Sequence, residues 1–132
     1  MNLILDTNVL VRLVTGDDEA QQAKAADILD AADKVAISVH ALCEFAWVLQ
    51  TTYKVSKADI AHAIRGFLNM KNVVVNQPAV EAGLSILNAG GDFADGVIAY
   101  DGKWLGGATF ASFDKRAVAL LEARGISALS LV

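Results

Sequence analysis

The stretch that decides the fold opens the chain: Asn2-Leu3-Ile4-Leu5-Asp6-Thr7-Asn8-Val9-Leu10. Asn2–Leu5 is a short apolar run and reads as a buried strand. An acid, a threonine and an asparagine follow at once, and all three residue types cap helices well. The pattern then turns helical over Asn8–Val14 and stops near Gly16. The same alternation recurs further out. Glu19–Ala32 is Ala-rich and helical, with Ile28 and Leu29 on its inner face, and Val35–Ser38 is a second strand. Ala41–Thr51 is a strongly apolar helix. Ser56 caps a helix over Lys57–Asn69, with Asp59 as an approximate capping box and Ile60, Ile64, Phe67 and Leu68 as one apolar stripe. Asn72–Val75 is a third strand, and Pro78–Ala89 and Phe93–Asp101 are helices. Ala108–Ser112 is a fourth strand, Lys115–Arg124 a helix stopped by Gly125, and Ile126–Leu129 a fifth strand. Strands alternating with helices predict an α/β domain over residues 1–132, built on a mostly parallel five-stranded sheet with helices on both faces. In such folds the working site lies beyond the carboxyl ends of the strands. Every acid just after a strand therefore matters.

Composition narrows the function classes. With 132 residues, 55% hydrophobic and 20% charged, the chain is long and apolar enough for one globular core. No apolar run reaches the roughly 18 residues of a membrane span. The start, Met1–Asn8, has no basic region and meets an acid at Asp6, so it does not resemble a secretory signal, and a cytoplasmic protein is expected. The single cysteine, Cys43, lies in an apolar run and reads as a small buried hydrophobe. The net charge of −4 argues against gripping nucleic acid by charge alone. Setting aside Asp6, Glu44, Asp92, Asp95 and Asp114 leaves ten acids against eleven Lys and Arg. The negative excess is concentrated in those five residues.

Each of the five has an ordinary explanation. Asp6 follows a strand and can be an N-cap, and so can Asp114, which follows Ser112-Phe113. Asp92 and Asp95 start a helix, where acids favour the dipole, and they share a face three residues apart. Asp95 is explained less well, being a turn further in between Ala94 and Gly96. Glu44 is the one charge in Ala41-Leu42-Cys43-Glu44-Phe45-Ala46-Trp47-Val48-Leu49. Buried there, an ionised carboxylate costs several kcal/mol unless it is paired or bound to a cation. Several carboxylates at one rim repel one another, and a divalent cation removes that cost. An all-oxygen site suits Mg²⁺ or Mn²⁺, and His40 and His62 have no zinc-ligand spacing with Cys43. Such a site can activate water for attack on a phosphodiester.

Four segments together resemble the PIN-domain family, and most closely the VapC toxins of bacterial toxin–antitoxin pairs. They are Leu3-Ile4-Leu5-Asp6-Thr7-Asn8, Glu44 in its apolar helix, Asp92-Phe93-Ala94-Asp95-Gly96-Val97-Ile98-Ala99, and Ser112-Phe113-Asp114-Lys115. The resemblance implies a PIN fold and a Mg²⁺- or Mn²⁺-dependent endoribonuclease leaving 5′-phosphate and 3′-hydroxyl ends. It also implies a homodimer and a cognate VapB-type antitoxin. By position, Asp6, Glu44, Asp95 and Asp114 match the family's acidic quartet, Asp92 its additional acid, and Asn8 and Ser112 its orienting polar residues. Gly96 stands where the family more often has Ala, which is expected to loosen the helix slightly.

Arg12, Lys103, Lys115 and Arg116 fall near the acidic motifs and are candidates for phosphate contacts, against the plainer reading of solvated surface charges. Trp47 and Trp104 are expected to pack in the core or an interface rather than stack bases. The rivals are a phosphohydrolase with an aspartyl nucleophile, a receiver-like module with an acidic pocket, and a catalytically silent PIN-like scaffold. Asp6-Thr7-Asn8 lacks the second acid of the first rival, no glycine-rich phosphate loop is present, and Asp17-Asp18 follow no strand.

Overall fold

A computed structural model describes residues 1–132. By its internal contacts the chain falls into two compact units, Met1–Asn76 and Gln77–Val132.

The first unit is two β-α-α repeats and a closing strand. Strand β1 (Asn2–Ile4) leads to α1 (Thr7–Thr15) and α2 (Glu19–Ala31). Strand β2 (Lys34–Ala36) leads to α3 (Val39–Thr51) and α4 (Lys57–Leu68), and β3 (Val73–Val74) closes the unit. The order is β1-β2-β3, all parallel, with Leu3 opposite Val35 and Val35 opposite Val73. Parallel neighbours need crossovers, and the helix pairs supply them. Each helix starts where a short polar side chain can take an orphan N–H. Asp6 accepts from Thr7 N at 2.8 Å, Ser38 from Ala41 N at 3.1 Å and Ser56 from Asp59 N at 3.1 Å. Helix α1 ends on Gly16 in the left-handed region, φ 64°, whose N–H returns to Arg12 O. The core is Leu10, Val35, Leu42, Phe45, Leu49, Ile60 and Ile64, with Phe45 edge-on to Phe67 at 5.4 Å.

The second unit is α5 (Gln77–Asn88), α6 (Phe93–Trp104), β4 (Phe110–Ser112), α7 (Lys115–Ala123) and β5 (Ala128–Ser130). Pro78 falls in the first turn of α5, where its missing N–H costs nothing. Strands β4 and β5 pair in parallel, Phe110 opposite Ala128, with α7 as the crossover. Helices α5 and α6 meet through glycines. A Cβ on Gly96 would stand 2.2 Å from Ala82 O, and one on Gly83 would stand 2.5 Å from the Phe93 ring.

All five expected strands are present, but they do not form one five-stranded sheet. They hydrogen-bond as a three-stranded and a separate two-stranded sheet. Apolar runs mark where strands form, while ladder bonding depends on which backbones approach, and no local pattern carries that. Nor is β1 the buried strand its run suggests, since Ile4 is exposed and only Leu5, just past it, is buried. The strands are also shorter than expected, since β4 begins at Phe110 and residues 105–109 are exposed. Helix α6 instead runs on to Trp104, past the expected end at Asp101.

Candidate active site

In the first unit, Asp6 lies just past β1, and Leu5 N still bonds Ala36 O at 3.1 Å to extend the ladder. Asp6 Oδ1 caps α1 through Thr7 N. The Thr7 side chain donates from Oγ1 to Glu44 Oε2 at 3.4 Å. Thr7 therefore links the acid after β1 to the acid of α3. Asn8 is exposed in the first turn of α1, beside them in sequence. The Thr7–Glu44 link joins residues 37 apart, and nothing local in the sequence signals it.

Glu44 corrects one expectation. It is not a charge sunk in an apolar helix. Helix α3 turns Ala41, Leu42, Phe45, Ala46 and Leu49 inward, while His40, Glu44 and Trp47 are exposed. An exposed carboxylate carries no burial cost, so its environment does not by itself call for a cation. Trp47 and Trp104 are not core residues either, at 61% and 78% exposed. Cys43 is half-buried.

In the second unit, Asp92 occupies the N-cap position of α6 without a side-chain cap bond, and Asp95 N bonds Asp92 O at 3.1 Å in the first turn. Both acids are half-buried. Asp114 is the cap of α7: its Oδ1 accepts from Arg116 N at 3.0 Å and Ala117 N at 3.1 Å. Ser112 Oγ accepts from Asp114 N at 2.9 Å and so ties the end of β4 to the start of α7. The turn that leads into Asp92 packs on α7. A Cβ on Gly91 would stand 2.7 Å from Leu120 Cδ1, and one on Gly90 would stand 3.0 Å from Arg116 Nη2. The turn ahead of α6 is thus packed on the body of α7, and the Arg116 side chain reaches it from the first turn of α7. Lys115 and Arg116 are exposed beside Asp114.

The structure sorts the remaining cations. Arg12 is engaged inside its own unit, with Nε donating to Gln21 Oε1 at 2.7 Å and Nη1 paired with Asp17 at 3.2 Å. Asp17 also accepts from Tyr53 Oη at 2.7 Å and Thr15 Oγ1 at 2.8 Å. The Tyr53 hydroxyl first, then that of Thr15, hold the Asp17 carboxyl below its ordinary 3.8. Lys103 lies in the last turn of α6, eight residues from Asp95, or about 12 Å along the axis. Of the candidate cations, Lys115 and Arg116 are the two that follow a candidate site acid directly, Asp114.

The residues assigned to the site offer carboxylate, amide and hydroxyl oxygen, with no thiolate or imidazole. That donor chemistry fits a hard divalent ion and not zinc. In neither unit do three His, Cys, Asp or Glu side chains gather as a metal-holding group.

No curated protein matches the chain. The sequence profile of the PIN domain, a nuclease-type domain, matches residues 3–122. That span contains Asp6, Glu44, Asp92, Asp95 and Asp114, and it runs through both compact units. The chain belongs to the PIN-domain family.

Proposed function

We propose that this chain works as one PIN domain over residues 1–132, a metal-dependent endoribonuclease that is the toxin of a type II toxin–antitoxin pair. The observation that carries the reading is the ordered set Asp6-Thr7-Asn8, Glu44, Asp92-Phe93-Ala94-Asp95 and Ser112-Phe113-Asp114 within the matched span. Supporting it, Asp6, Asp92 and Asp114 each stand at the start of a helix, Asp95 in a first turn, and Glu44 is tied to the residue after Asp6.

In this proposal Asp6 and Asp95 hold Mg²⁺ or Mn²⁺ directly, Glu44 and Asp114 complete the site, and Asp92 adds charge. The ion, when bound, lowers the pKa of a water and stabilises charge developing on the scissile phosphate. Thr7 orients Glu44 by its hydroxyl, Ser112 fixes the backbone of Asp114, and Asn8 steadies the carboxylates. One of Glu44 and Asp114 takes the proton of the attacking water. Lys115 and Arg116 contact flanking phosphates. The partners are RNA, a VapB-type antitoxin and a second copy of the chain, in the cytoplasm.

The test is cleavage of total RNA by antitoxin-free protein with Mg²⁺, with Mn²⁺ and with EDTA, beside Asp6→Asn. Asparagine caps a helix as well as aspartate does, so the variant keeps α1 and loses only the charge. Discrete products that need the metal and fall at least about 100-fold in Asp6→Asn are expected, since metal stabilisation is worth several kcal/mol. Full activity in Asp6→Asn would remove the assignment. No cleavage by folded wild type would favour the silent scaffold.

A further inference from the structure

The five phenylalanines are not treated alike. Phe45, Phe67 and Phe93 are buried and Phe110 is half-buried, but Phe113 is 72% exposed. Its place is fixed from both sides. Ser112 Oγ accepts from Asp114 N before the helix, and Asp114 Oδ1 accepts from Arg116 N and Ala117 N within it. These bonds fix the turn between β4 and α7, and the exposed Phe113 ring stands on it, between Ser112 and Asp114. Lys115 and Arg116, both exposed, follow within three residues, and the Arg116 guanidinium reaches to the Gly90 turn ahead of Asp92. An exposed aromatic ring one residue before a candidate site acid, and two and three before exposed cations, matches how nucleic acid is held, with a base on the ring and phosphates on the cations. A buried apolar role does not account for the ring, and a turn needs no phenyl group.

We propose that Phe113 is a base-stacking platform that positions an unpaired nucleotide of the RNA next to Asp114. The inference rests on the nuclease reading above and deepens it. It makes Phe113 a positioning residue. Stacking follows the area of the base, so adenine is held better than uracil at this position.

The experiment measures anisotropy of fluorescein-labelled oligo(A) and oligo(U) with wild type, Phe113→Leu and Phe113→Tyr. EDTA prevents cleavage, and thermal melts of all three proteins run beside it. Wild type is expected to prefer oligo(A). Phe113→Leu should bind oligo(A) roughly tenfold more weakly or worse, lose the preference for A over U and melt as wild type. Phe113→Tyr should restore both affinity and preference. In cleavage with metal, the Leu variant should show its loss mainly in KM. Equal affinities for wild type and Phe113→Leu, in a protein that binds and cleaves RNA, would overturn the platform and leave the nuclease reading standing. A preference for A that survives in Phe113→Leu would do the same. Wild type that neither binds nor cleaves single-stranded RNA would overturn both.

Discussion

Asp6 carries two roles that separate under mutation. As the cap of α1 it accepts from Thr7 N, and as an acid just past β1 it contributes charge to the proposed site. Asp6→Ala removes both, while Asp6→Asn removes only the charge. The alanine variant should lose about 1 kcal/mol of stability relative to the asparagine variant, measured by urea unfolding. Both should lose cleavage. Equal stabilities would mean that the cap bond contributes nothing in solution. Gly96 makes the same point in the opposite sense. Read along the chain, it loosens a helix. In the fold, it is where α6 comes up against the backbone of α5, with Ala82 O 2.2 Å from the site of an added Cβ. A backbone atom cannot rotate away as a side chain can. Gly96→Ala should therefore destabilise the protein by about 1–3 kcal/mol despite its better helix propensity, and it should displace the neighbouring Asp95. A variant as stable as wild type would show that the two helices can part at no cost.

At the scale of elements, the joint between α1 and the end of α3 is polar. Asp17, just past α1, gathers Arg12, Thr15 and Tyr53, the last from 36 residues away. The depressed pKa of Asp17 has a definite sign. The unfolded carboxyl titrates near 3.8 and the folded one lower, so the stabilisation is complete above pH ~3.8 and lost as pH falls through the folded value. Tyr53→Phe removes the largest cause. It should lower stability at neutral pH, and the difference from wild type should shrink in acid below pH ~3.8. A pH-independent difference would assign the effect to ring packing instead. A second polar tie, Asn72 Nδ2 to Leu29 O at 2.9 Å and Ala32 O at 3.1 Å, closes the end of α2 onto the start of β3. The sequence marks Asn72 only as the beginning of a strand, because the partner carbonyls lie about 40 residues away and have no residue signature.

For the whole molecule, a net charge of −4 means that the RNA of the proposed reading is held by local cations against an overall repulsion. Lys115 and Arg116 are the exposed pair beside Asp114. Reversing both to Glu should weaken RNA binding at all sequences and lower the salt slope of log affinity by about 2, read from titrations at several salt concentrations. An unchanged slope would make them ordinary surface charges. What the sequence by itself determined is local and ordered. Apolar runs of strand and helix period, polar caps before helices, and acids where strands give way to helices all depend on residues a few positions apart. The elements over 2–130 were accordingly legible, with end shifts of a few residues, and so was the placement of Asp6, Asp92 and Asp114 at helix starts. What only the tertiary structure decided depends on residues far apart. The five strands bond as two sheets because ladders form between backbones that meet in space. Glu44 is exposed because α3 turns one face inward and Glu44 lies on the other, although an apolar string looks the same in either case. Arg12 is taken up by Asp17 and Gln21, and Phe113 is exposed on the turn that Ser112 and Asp114 fix. Hydrophobic periodicity reports that a residue can be buried. Only packing decides whether it is, because burial is a property of the neighbours that arrive and not of the residue alone.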